Sequence, residues 1–114
     1  MRLELRGRHL AVSSSLRQQA ERRLGFALGR FGGLVERVAL RVEDVNGPRG
    51  GIDKQCRVVV GLRRAGEVVV EAADGDVYVL IDRAAQRAGR AVRRRVERLR
   101  ERVAPVERGA WRGA

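Results

Sequence analysis

The chain has one cysteine, Cys56, one histidine, His9, one lysine, Lys54, and two prolines among its 114 residues. A lone cysteine excludes a disulfide within the chain and a cysteine-based metal cluster. That usage fits a reducing cytosol, so a cytoplasmic protein is expected. A lone histidine supports neither a catalytic triad nor a histidine metal set, and His9 reads as a turn or surface residue. No apolar run approaches membrane-spanning length. Met1 to Leu10 alternates charged and apolar residues, so no signal peptide is expected. The loop Gly47 to Gly51 lacks the Gly-Lys-Ser/Thr of a phosphate-cradling loop and reads as a hairpin connection. These absences point away from an enzyme. No cofactor, no metal, no small-molecule substrate and no membrane partner are expected.

Basic charge is abundant. Formal net charge is +11 and the isoelectric point is near 11.6. Such an excess repels itself in a compact fold, and a partner of opposite sign relieves that repulsion. Nucleic acid is the usual partner of a domain this basic. Of 25 basic residues, all but Lys54 are arginine. Arginine offers a planar five-donor fork that suits phosphates and RNA bases. A GC-rich genome produces the same bias, so composition alone does not separate the two causes.

The length fits one domain. Leu3 and Leu5 alternate with charged residues and predict a first strand. Ser13 to Ser15 supplies N-cap candidates. Leu16, Ala20, Leu24, Ala27, Leu28 and Phe31 then recur at helical spacing, predicting a helix from about Ser14 to Arg30 that ends at Gly32 and Gly33. Val38, Leu40 and Val42 mark a second strand. Asn46 to Gly51 reads as a loop. A third strand carries Cys56, Val58, Val60 and Leu62 inward. Arg64-Ala65-Gly66 is a hairpin turn, and a fourth strand carries Val68, Val70 and Ala72 inward. Asp76 is the expected N-cap of a long second helix, whose apolar set is Val77, Ile81, Ala84, Ala85, Ala88, Val92, Val96, Leu99 and Val103. Pro105 is expected to stop it. The expected organisation is a domain over 1–104 and a disordered tail over 105–114.

The order β-α-β-β-β-α gives each strand one apolar face and each helix one apolar stripe. The expected fold class is α+β, a two-layer sandwich with two helices on one face of a four-stranded mixed sheet. The first β-α-β would cross over right-handed and give one parallel pair. The other sheet face would be wet and charged, with Arg2, Arg6, Arg37, Arg41, Arg57 and Arg63 balanced by Glu4, Glu43, Glu67 and Glu71.

The second helix carries the functional signal. Between Arg83 and Arg95 stand six arginines and no acid. At roughly 100° per residue, Arg83, Arg87, Arg90 and Arg94 fall in one stripe opposite the apolar one. The stripe spans roughly 16 Å at about 1.5 Å per residue. Arg93 and Arg95 widen it. Solvated helix faces usually mix signs, because like charges at i, i+4 destabilise a helix. Here arginine is stacked on arginine, and acids return only at Glu97 and Glu101. A phosphate-binding face with an edge is the expectation. Asp74, Asp76 and Asp82 are explained better by capping and by the helix dipole than by a metal. Tyr78 is either a base-stacking ring or a half-buried residue at the helix start. Trp111 lies in the expected tail, and Cys56 reads as core.

Four motifs in this order resemble the ribosome hibernation-promoting factors and ribosome-associated inhibitors of bacteria. Asp76-Val77-Tyr78-Val79-Leu80-Ile81-Asp82 resembles that family's Asp-x-Tyr-x-Ala-Ile-Asp. Val92-Arg93-Arg94-Arg95 sits where the family has leucine and a basic cluster. Ser13-Ser14-Ser15-Leu16-Arg17 resembles its Thr-Glu-Ala-Leu-Arg, and Leu28-Gly29-Arg30-Phe31 its Leu-Glu-Arg-Tyr/Phe. The resemblance covers about residues 1 to 100. It implies binding to the small (30S) subunit, and to the 70S ribosome, in the channel that mRNA and tRNA use. It also implies inhibition of translation and preservation of idle ribosomes under stress. The residues it would place on ribosomal RNA are Arg83, Arg87, Arg90, Arg93, Arg94 and Arg95, with Arg22 from the first helix. Here the cluster is all arginine, where the family's is lysine-rich with a histidine. Long members carry a second domain that pairs ribosomes, and the chain as it stands lacks one, so a monomer off the ribosome is expected. Two other readings stay open: a general structured-RNA binder or RNA chaperone, and a regulatory module whose basic face meets an acidic protein.

Overall fold

The computed structural model describes the backbone of residues 2–45 and 53–113, and the side chains of 2–45 and 53–100. The elements run β1 (Arg2–Arg8), α1 (Ser14–Leu28), a 3-10 turn (Gly29–Phe31), β2 (Val35–Asp44), β3 (Lys54–Leu62), β4 (Gly66–Asp74) and α2 (Val77–Gly113). The sheet order is β1-β2-β3-β4. β1 pairs parallel with β2, and β2–β3 and β3–β4 pair antiparallel. This is the α+β order expected. The loop expected over Asn46 to Gly51 lies outside the described residues. The stop expected at Pro105 is corrected: the backbone of α2 continues through it to Gly113, because a proline removes one helical hydrogen bond and bends a helix without having to end it. The side chains of the segment expected as a tail, 105–114, lie outside the described residues.

Strand alternation sets the core. Leu5, Val38, Leu40, Val42, Cys56, Val58, Val60, Leu62, Val68 and Ala72 are buried on one sheet face, and Val70 is partly buried there. The first helix lays Leu16, Ala20, Leu24 and Leu28 onto this face, one residue per turn. It is capped as expected, with the Ser13 hydroxyl accepting from the Leu16 N–H at 3.1 Å. It closes in a 3-10 turn rather than running on to Arg30. The second helix buries Leu80, Ile81, Ala84, Ala85, Ala88 and Val92. Asp76 caps it, its Oδ1 accepting from the N–H groups of Tyr78 at 2.8 Å and Val79 at 3.3 Å. Among the described residues, no helix is long and apolar enough to cross a membrane.

The two helices touch closely where a side chain is missing. A Cβ added at Gly89 would lie 3.2 Å from the Ala27 carbonyl oxygen and 3.3 Å from the Ala27 Cβ. Asp82 ties the helices together nearby, accepting from Gln19 Nε2 at 2.7 Å and pairing with Arg23 Nε at 3.2 Å. The open sheet face carries Arg6, Arg41 and Arg57 in register across three adjacent strands, as expected of a wet, charged face. It also exposes Val69.

The sequence did not reveal the one buried acid among the described residues. Asp53 is 2% exposed and pairs with Lys54 Nζ at 3.0 Å. That hydrogen bond holds the Lys54 ammonium above its ordinary value, against desolvation. Thus the single lysine has a structural partner. His9 is exposed in the turn after β1, at φ +56°.

Two outcomes test this packing. Leu24→Ala should lose about 2–5 kcal/mol in urea denaturation, because it empties a closed core site. Phe26→Ala, two residues away and 91% exposed, should stay within about 0.5 kcal/mol of the parent. Burial pushes the Cys56 thiol up to about 11. Cys56 should therefore react slowly with a thiol-specific reagent at neutral pH in the native state, and quickly in urea. The raised value also means that the thiol's stabilising share is complete below about 9, its unfolded value, and is lost as pH rises through about 11.

Candidate nucleic-acid interface

α2 presents its arginines because its apolar stripe is committed to the sheet. Arg83, Arg87, Arg90, Arg93 and Arg94 are exposed, and Arg95 is partly buried. A shallow trough of about 620 Å³ lies between this row and the edge strand β4, lined by Arg87, Arg90, Arg93, Arg94, Val70, Glu71 and Glu97.

The six arginines differ in what holds them. Arg83 Nε pairs with Asp74 Oδ2 at 3.1 Å, with its side chain 55% exposed. Arg87 donates to the Glu71 carbonyl at 2.6 Å. Arg93 Nε pairs with Glu97 at 3.1 Å, one turn along. Arg90 and Arg94 have no ion pair or hydrogen bond among the described residues. They are each other's neighbours at i+4 and i−4, so like-charge repulsion falls between them, and the acid three residues beyond Arg94, Glu97, is engaged by Arg93. Arg22 on α1 is likewise exposed and unpartnered, whereas Arg23 is held by Asp82.

Arg95 has a different job from the rest of the row. Its Nη1 donates to the Ala65 carbonyl at 2.8 Å and its Nη2 to the Glu67 carbonyl at 3.1 Å. It therefore clasps the β3–β4 turn, where Arg64 at φ +57° and Gly66 at φ +74° both adopt left-handed backbone. A non-glycine residue in that region is strained, and a clasp on the flanking carbonyls helps hold it. Sequence spacing could not show this, because the partners are backbone atoms some thirty residues distant.

Neither other candidate gains support. Asp74 accepts from the Asp76 N–H at 3.0 Å and pairs with Arg83, and Asp76 is the helix cap. Among the described residues, no group of three histidine, cysteine or carboxylate side chains is placed to hold a metal. Tyr78 is 42% exposed at the start of α2, away from the centre of the arginine row. Phe26, absent from the expected apolar stripe of α1, stands almost wholly in solvent beside the row.

Residues 3–100 match the family model for sigma 54 modulation protein / S30EA ribosomal protein. The fold superimposes on the N-terminal domain of Protein Y from Thermus thermophilus with a TM-score of 0.68 at 28% identity, covering 82% of this chain and 98% of that one. It also superimposes on a ribosomal subunit interface protein from Coxiella burnetii with a TM-score of 0.67 at 16% identity, covering 84% and 99%, a likeness of fold. No curated protein sequence matches.

Arg95→Ala should lower stability by roughly 1–2 kcal/mol, because the part-buried Ala65 carbonyl and the exposed Glu67 carbonyl lose a charged donor. Arg90→Ala should leave stability within about 0.5 kcal/mol. Equal thermal stability of the two variants would contradict the division between clasp and free surface.

Proposed function

The chain belongs to the sigma 54 modulation protein / S30EA ribosomal protein family, and from that membership we propose that it binds the small ribosomal subunit in the decoding channel and blocks translation by occupying it. The family is ribosome-associated, so the ribosome is the partner. The finer reading, contact with ribosomal RNA through Arg83, Arg87, Arg90, Arg93 and Arg94, rests on one observation. Arg90 and Arg94 lie exposed, and unpartnered among the described residues, in a row without acids between Arg83 and Arg95. Such a row lowers its own electrostatic energy when phosphates replace water and counterions around it. Arg22 joins from α1, and Arg95 contributes by holding the turn.

No bond needs to be made or broken for this function. A domain wedged where mRNA and tRNA pass excludes both by volume, and its release restores them. The protein would work in the cytoplasm, as a monomer when off the ribosome, and would preserve idle ribosomes under stress.

The test is the salt dependence of binding to purified small subunits. Each phosphate contact contributes a log–log slope of about −0.7 to −0.9. Replacing Arg90 and Arg94 together by alanine should flatten the slope by roughly 1.5. Replacing Arg6 and Arg41 on the open sheet face removes the same charge and should change the slope far less. mRNA with tRNA should displace the parent protein. Equal effects of the two double variants would mean that the chain binds as a diffuse polycation, and binding unaffected by mRNA and tRNA would place it elsewhere on the particle.

A further inference from the structure

Among the described residues, Phe26 is the one large apolar side chain that the fold puts almost entirely into water, at 91% exposure. Its position on α1 explains why. It lies about 200° around the helix from Leu24, on the side away from the core. Isolated exposed apolar residues are common and need no account of their own. This one stands at the mouth of a groove of about 360 Å³ between the helices, opposite Gln86, Arg90 and Arg93. Ala27 and Gly89 line the same groove, and their close approach sets how near α1 stands to α2 there. Arg30 also lines it and lies over the Phe31 ring, 5.9 Å from the centroid.

The groove combines a flat apolar face with three cations, Arg30, Arg90 and Arg93. Arg22 lies one turn before Phe26 on α1, and Arg30 lies four residues after it, in the 3-10 turn that closes the helix. Arg90 and Arg93 face it from α2, and no acid among the described residues lines the groove. That pairing matches the chemistry of an unpaired nucleotide, whose base has an apolar face and whose two flanking phosphates are anionic. A double helix offers no such face, because its bases are stacked on one another. The Gln86 amide adds a donor and an acceptor for a base edge.

We propose that the groove between α1 and α2 takes one unstacked RNA base, stacked on the Phe26 ring, with its flanking phosphates on Arg90 and on Arg22 or Arg30. This rests on the reading of α2 as an RNA-binding face and adds to it a preference for single-stranded or bulged RNA. The arginine row supplies attraction that depends on salt. The ring supplies contact that does not.

That difference gives the test. Affinity for the small subunit is measured across a range of salt concentrations for the parent, Phe26→Ala, Phe26→Leu and Phe26→Trp. Stacking predicts that Phe26→Ala and Phe26→Leu each lose roughly 5- to 140-fold at every salt concentration with an unchanged slope, while Phe26→Trp keeps the affinity. An unchanged affinity in Phe26→Ala overturns the proposal. So does full affinity in Phe26→Leu, which would mark an apolar protein contact instead. A second arm uses a short single-stranded RNA carrying 2-aminopurine, whose fluorescence is quenched by stacking. Quenching by the parent and by Phe26→Trp, but not by Phe26→Leu, supports the site even if binding to the small subunit itself fails. Absence of quenching by the parent counts against the site even if the arginine row binds ribosomes.

Discussion

Everything on the binding side follows from the burial of one stripe of α2. Leu80, Ile81, Ala84, Ala85, Ala88 and Val92 must leave water, and the sheet face of Val58, Val60, Val68 and Ala72 is where they go. Once that contact is made, the helix cannot rotate. Arg83, Arg87, Arg90 and Arg94 are left exposed beside the edge strand, the first two reaching β4 and the last two facing solvent. Three of the buried positions are alanine and the neighbouring one is Gly89, so the helix also sits close to α1, leaving only a shallow groove above the contact. Placement of charge is thus a consequence of packing, with no separate device needed to aim it.

Within the row, charge is graded from held to free. Arg83, Arg87 and Arg95 each reach an acid or a carbonyl of β4 or its turns, which damps their repulsion and fixes their directions. Arg90 and Arg94 reach nothing internal among the described residues. Exposed ion pairs add little stability, about 0–1 kcal/mol, so their role here is chiefly geometric. They hold the ends of a row whose centre is left for a ligand. On the opposite sheet face, Arg6, Arg41 and Arg57 also lie side by side, but an acid, Glu71, continues that same row directly across from Arg57.

Wherever one periodicity ran without interruption, the sequence was enough. The strand alternation of Val38, Leu40 and Val42, the cap at Asp76 and the stripe of α2 all appear in the structure as their spacing predicts. What escaped depended on contacts that only the fold makes. The Arg95 clasp needs the Ala65 and Glu67 carbonyls, and the burial of Asp53 needs the Lys54 ammonium folded over it. Neither leaves a mark in local spacing. Phe26 did leave one. It is the large apolar residue of α1 that the helical set Leu16, Ala20, Leu24 and Leu28 omits, and an aromatic off the stripe beside arginines was a readable sign.

The central claim is that the α2 side, and not the open sheet face, meets ribosomal RNA. Photo-crosslinking tests it most directly. A photoreactive amino acid replaces Gln86, which is exposed beside the arginine row, or Gln55, which is exposed on the open face. Neither exchange alters charge. Irradiation of each variant bound to small subunits should give RNA adducts from position 86 and few from position 55. Adducts mainly from position 55, or equal adducts from both, would contradict the account.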